Sequence, residues 1–152
     1  GVAGVYLLNN QGANNNTTPT PTPKPTVADA STLQFSANVT RQGQTTEYKW
    51  VGKNIHANDR MLRVDFATYA YIIDGTQEKS WMSTDSGATW TASTYATDLA
   101  SWAPQWTDIV DNLAHWNGSD ETYSYTNTAG EAILVFNIAV NPTVPDSTFS
   151  TS

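Results

Sequence analysis

Two periodicities divide this chain. From Leu33 to Val39 apolar and polar residues alternate, with Leu33, Phe35, Ala37 and Val39 against Gln34, Ser36 and Asn38, the pattern of a strand with one buried face. Similar short runs follow. Thr45 to Ile55 carries Tyr48 and Trp50 on one face, Met61 to Phe66 alternates, and Tyr69 to Ile73 ends at Asp74-Gly75, a hairpin signal. Lys79 to Ser83 places Trp81 and Met82 on opposite faces, and Thr89 to Ala92 is short. Thr122 to Tyr125 and the apolar run Ala132 to Val140 close the series. The exception is residues 95–116. There Leu99, Trp102, Trp106, Ile109, Val110, Leu113 and Trp116 recur at steps of three and four, one stripe of a helix, leaving Asp98, Asp108, Asp111 and Asn112 for solvent. Pro104 lies inside the stripe and predicts a break, with one helix to about Trp102 and a second starting around the proline.

Strands joined by tight turns, with one helical insertion before the last pair, predict a mainly β (α+β) fold. A curved antiparallel sheet wraps around the Trp-rich helix, which an apolar concave face must cover. No solenoid or propeller period is present. The globular head is expected over residues 29–141, and the tail 142–152, with Pro142 and Pro145, is expected to leave it.

The N-terminus has a different character. Residues 1–10 form an apolar arm containing Val2, Val5, Tyr6, Leu7 and Leu8, and residues 11–28 are an Asn/Thr/Pro-rich linker. Alternating prolines favour a polyproline rod, so Thr18 to Thr26 would span about 28 Å at roughly 3.1 Å per residue. The chain opens on Gly1 rather than methionine, and GVAGVYLL is also readable as the stub of a longer apolar signal or anchor.

Composition narrows the function classes. With 14 acidic and 7 basic residues the net charge is -7, which opposes binding to a phosphate backbone. Cysteine is absent, so no disulfide framework, thiolate metal site or lipidated cysteine exists. Four Asn-X-Ser/Thr acceptors at Asn15, Asn16, Asn38 and Asn117, with abundant Asn and Thr, fit a secreted, N-glycosylated chain at a cell surface. His56 and His115 lack metal-ligand spacing, and no nucleophile elbow, zincin helix or phosphate loop occurs, so neither enzyme nor cofactor is expected. Asp108, Asp111, Asp120 and Glu121 read as a solvated helix face and loop rather than a metal site, and the tryptophans fall on core faces rather than on a sugar platform.

Two resemblances attach to particular residues. Ser83-Thr84-Asp85-Ser86-Gly87-Ala88-Thr89-Trp90 is similar to the Asp-box of sialidases and other secreted β-proteins. The resemblance implies a folded hairpin in which Ser83, Asp85 and Gly87 shape the turn, Asp85 accepts backbone N–H groups and Trp90 packs beneath, away from any catalytic pocket. The strands carrying Tyr48-Lys49-Trp50, Arg60 to Val64, Tyr71 to Gly75 and Lys79 to Met82 resemble the periplasmic lipoprotein-carrier half-barrels and similar archaeal exported proteins. That resemblance implies a sheet wrapped around helices, able to hold an acyl chain. In overall architecture the chain resembles donor-strand pili and threads of archaea. The expectation is a homopolymeric filament subunit whose residues 2–8 complete the sheet of the next subunit; the alternative is a surface-tethered half-barrel binding a lipid or other apolar ligand. No transmembrane span is expected in the mature chain.

Overall fold

A computed structural model describes residues 26–152. Its strands are β1 (Thr32–Arg41), β2 (Gln44–Lys53), β3 (Met61–Phe66), β4 (Tyr69–Asp74), β5 (Lys79–Ser83), β6 (Thr91–Ser93), β7 (Thr122–Thr126) and β8 (Ala132–Val140). They form one antiparallel, unclosed 8-stranded sheet in the order β6-β5-β4-β3-β2-β1-β8-β7. The order follows from the connections. Short turns make β1 to β6 a meander, the helix α1 (Tyr95–Asn112) then crosses the inner face, and the β7–β8 hairpin returns to the far side of β1. Left-handed Gln42 (φ 52) and Gly43 (φ 79) close the β1–β2 hairpin in two residues, the geometry that matches strand twist.

The core is aromatic. Phe35, Trp50, Leu62, Val64 and Ile73 face Trp106, Ile109 and Leu113, all at most 2% exposed. The Trp106 ring stacks on Phe35 at 5.6 Å and tilts against Trp50 at 5.4 Å. Beneath it lies Gly52, where a Cβ would come within 2.5 Å of the indole. Trp50 donates its Nε1–H to Gln105 at 2.8 Å, so the buried indole keeps its hydrogen bond.

The structure departs from expectation in four places. The helix does not break at Pro104 but runs from Tyr95 to Asn112, with a 3-10 turn, Leu113–His115, after it. Pro104 and Ala100, whose carbonyl loses its amide partner, are both exposed, so water can take the lost bond, while Trp102 and Trp106 anchor the helix on either side. Asp98 does not face solvent. It is 7% exposed and accepts a 2.6 Å hydrogen bond from Ser80 Oγ on β5, which satisfies a carboxylate that helical periodicity alone assigns outward. Asp74-Gly75 opens the expected β4–β5 hairpin. The pair Asp74↔Lys79 leaves a four-residue loop in which Asp74 Oδ1 accepts from Thr76 and Gln77 N–H, and Gly75 is required because the Arg60 carbonyl oxygen lies 2.6 Å from its would-be Cβ.

The tail stays on the fold. Arg63 Nη1 on β3 donates to the Thr148 carbonyl at 2.9 Å, Thr32 Oγ1 donates to the Pro142 carbonyl at 2.8 Å, and Lys53 lies 5.8 Å from the Phe149 ring centroid. At the other end Val27 is 4% exposed within a 3-10 turn, Val27–Asp29, so packing begins inside the segment read as linker.

Because Gly52 has no room for a side chain, Gly52→Ala is expected to cost about 1–3 kcal/mol in chemical denaturation. Trimming the indole should relieve that clash. Gly52→Ala combined with Trp106→Phe is therefore expected to lose less stability than the sum of the single changes, and simple additivity would refute the contact.

Candidate functional site

An unclosed sheet has two edges, and these are β6 and β7. β7 alternates: Tyr123 and Tyr125 are half-buried on the inner face, while Thr122, Ser124 and Thr126 are exposed. Tyr125 donates its hydroxyl to Asp108 Oδ2 of α1 at 2.7 Å. Burial, then the Asp108 hydrogen bond and charge, push the Tyr125 phenol far up, so it remains a protonated donor that ties the edge strand to the helix.

On the outer side of β7 and β8 the surface is grooved. Trp116, Asp120, Glu121, Thr122, Leu134 and Phe136 line one open groove of about 630 Å³, and a second of about 400 Å³ continues along Ser124, Thr126 and Ala132. Asn38 and Leu134 border both. The apolar walls are Leu134, 37% exposed, with half-buried Phe136 and Ile138. A bulge borders the first groove: β1 steps from Gln34 to Ser36 while its β8 partners step from Ala139 to Phe136, with Asn137, which lines the groove, left-handed at φ 52.

The loop before β7 is well held. Trp116 Nε1–H donates to the Asp120 carbonyl at 2.8 Å, and Asn117 Oδ1 accepts from Ser119 and Asp120 N–H. Thr26, Val27 and Ala28 line a further cavity of about 490 Å³ with Leu113, Trp116 and Asn117, so the chain enters the fold beside this loop. At the other end of the hairpin Glu131 pairs with Arg41 and accepts from Asn127 Nδ2 at 2.7 Å. Asn127, then Arg41, holds the Glu131 carboxyl below the usual carboxylate range.

The opposite edge is polar. Thr91, Ala92 and Ser93 of β6 are all exposed, and the Ser83–Trp90 hairpin leads into them. Asp85 Oδ1 accepts from Ser83 Oγ at 2.6 Å and Thr89 N–H at 2.9 Å, and Asp85 Oδ2 accepts from Thr89 Oγ1 at 2.5 Å. Ser83 Oγ also accepts Gly87 N–H at 2.8 Å, with Gly87 at φ +90. The Arg63 guanidinium sits 5.3 Å from the Trp90 ring centroid, binds both oxygens of Asp65, and reaches the tail at Thr148. This clasp was open to sequence reasoning, since Arg63 and Asp65 share a strand face, but its tail partner is 85 residues away.

The sequence-derived positions therefore scatter. Val2, Val5, Tyr6, Leu7, Leu8, Asn15 and Asn16 lie outside the described residues. Of the helix stripe, Trp106, Ile109 and Leu113 are buried, and Leu99, Trp102 and Trp116 are partly so. Asn38 stands on the outer face of paired β1, opposite Leu134 and Glu47, whereas Asn117 is exposed on a turn. His56 Nε2 lies 2.9 Å from the Val27 carbonyl, and His115 is exposed after α1. Among the described residues no three His, Cys, Asp or Glu side chains gather as a metal site, and no helix is long and apolar enough to cross a membrane. No family model, curated protein or solved structure matches the chain.

Hydrogen bonds from Ser83 and Thr89 hold the Asp85 carboxyl down at about 2, against an ordinary value of 3.8. A lowered folded pKa stabilises the hairpin above the ordinary value, and that stabilisation fades as pH falls through the folded one. NMR titration of the Asp85 carboxyl is expected to show a midpoint near 2, and the stability gap between the native chain and Asp85→Asn should narrow from pH 3.8 downward. A midpoint at 3.8 would mean that the bonds do not persist in solution.

Proposed function

We propose that this protein is a structural subunit of an extracellular filament, in which Val2, Val5, Tyr6, Leu7 and Leu8 of one copy add a strand to the sheet of the next. The observation that carries the reading is the open sheet, whose order among the described residues ends in β6 and β7, each paired along one side only. An extended apolar segment and an unpaired edge satisfy one another, because main-chain bonds and alternating side chains both find partners. Between identical copies such a contact is heterologous and does not close, so it propagates as a fibre.

Burying four or five apolar side chains of the arm would contribute about 6 to 12 kcal/mol before ordering costs, with backbone pairing in addition. The Pro/Thr segment would set the axial spacing. The role is structural rather than catalytic, and a glycosylated surface location agrees with the acidic, cysteine-free composition. The half-barrel reading needs space for an acyl chain beneath the helix, and Phe35, Trp50 and Trp106 fill that space. Of the acceptors among the described residues, Asn117 on its exposed turn is the accessible one, whereas Asn38 is held within paired β1.

Electron microscopy and light scattering of the native full chain are expected to show long uniform fibres. Deleting residues 1–10 should leave a folded monomer, since the packed core begins at Val27. A truncated chain that still polymerises, or a full chain that is monodisperse near 16.5 kDa, would sink the reading. In native glycosylated material, Asn117→Gln is expected to lower the intact mass by one glycan, and an unchanged mass would remove Asn117 as an acceptor.

A further inference from the structure

We infer that β7 is the edge that receives the arm, and that the arm comes from a second copy of this chain. The inference rests on the donor-strand reading and adds which of the two edges accepts the strand.

The edges differ in length and in what flanks them. β6 offers three residues, all exposed. β7 offers five in unbroken register with β8. Open strands are commonly guarded by lysine, proline or a bulge, and β7, with the sequence Thr-Tyr-Ser-Tyr-Thr, carries none of these. The bulge in this part of the sheet lies instead between β8 and β1.

Among the described residues, apolar surface is left partly exposed on both sides of β7. On the inner side the half-buried rings of Tyr123 and Tyr125 lie 5.9 Å apart, while on the outer side Leu134 and Phe136 stand behind the short side chains of Thr122, Ser124 and Thr126. Long side chains of a strand laid against β7 can reach over those short residues into the groove. The arm suits a site with two apolar faces. Taken as a strand, its even positions carry Val2, Tyr6 and Leu8 and its odd positions carry Val5 and Leu7, so neither face is polar until Asn9. A strand meant for a half-solvated position would alternate apolar with polar.

The spacer favours a second copy over the chain's own arm. The described chain begins at Thr26, beside the Trp116–Gly118 turn that leads into β7. The Pro/Thr composition of residues 18–26 favours a stiff, extended rod of about 28 Å over a tight return. A stiff spacer between arm and fold suits delivery to a neighbour better than folding back onto the same β7.

The chain has no cysteine, so introduced thiols report without background. Full-length Leu7→Cys or Leu8→Cys, which sample both arm faces, would be mixed before assembly with full-length Ser124→Cys on β7 or Ala92→Cys on β6, then treated with a short bismaleimide. Two-chain products are expected with Ser124→Cys and not with Ala92→Cys. A second variant tests the groove without cross-linking. Leu134→Glu should abolish fibres while circular dichroism stays unchanged, and Ala92→Glu should leave fibres intact. Preferential linkage to Ala92→Cys, undiminished fibres from Leu134→Glu, or linkage confined within single chains carrying both Leu7→Cys and Ser124→Cys would each overturn the assignment. Fibres of the unsubstituted chain with no linkage to β7 would overturn this inference and leave the filament reading standing, whereas absence of fibres from that chain would overturn both.

Discussion

The Trp106 indole on the bare backbone of Gly52 is the contact from which the remaining architecture takes its dimensions. A sheet and a helix bearing large aromatics normally stand apart by the size of both sets of side chains. Here one partner contributes none, so the indole drops onto β2 and its neighbours close around it, Phe35 on one strand and Trp50 on another. The depth of that seat sets the height of α1 above the sheet. It also places Gln105 within reach of Trp50 Nε1, Asp98 within reach of Ser80, and Asp108 within reach of Tyr125. Those polar contacts span β2, β5 and β7, so one helix registers strands from one end of the sheet to the other.

A second organising contact lies on the opposite face. Arg63 joins Asp65, the ring of Trp90 and the carbonyl of Thr148, and thereby fastens the turn before β6 and the C-terminal tail to the middle of the meander. Guanidinium serves here because its planar fork pairs with a carboxylate while its face remains available for an aromatic ring. The outer surface of β3 and β4 is accordingly covered, with Ala70 and Ile72 fully buried. Among the described residues the outer surface of β7 and β8 has no such cover, and the two halves of the sheet present different surfaces.

Much of the fold was legible in the sequence because it rests on local periodicity. Leu33, Phe35, Ala37 and Val39 announce β1, the run Ala132 to Val140 is β8, and the steps from Leu99 to Leu113 mark the helix face. The departures all depend on groups far apart in the chain. Pro104 continues the helix because the tryptophans around it are already seated, Asp98 turns inward for a serine 18 positions earlier, and the tail is retained by an arginine 85 positions before it. Edge identity belongs to the same class. Nothing between Thr122 and Thr126 says that this strand ends the sheet; that follows only from the return of β8 to the side of β1, a pairing across about a hundred residues.

The strand order also has a mechanical consequence. The chain enters at Val27 and immediately forms β1, while β8 and β7 lie directly beyond it. In a polymer joined from the entry point of one copy to β7 of the next, tension would cross the β1–β8 and β8–β7 ladders and bypass β2 to β6. The meander would then be ballast for the load path, free to vary in its turns and to carry surface insertions, while tensile strength would reside in two hydrogen-bonded ladders pulled along their length.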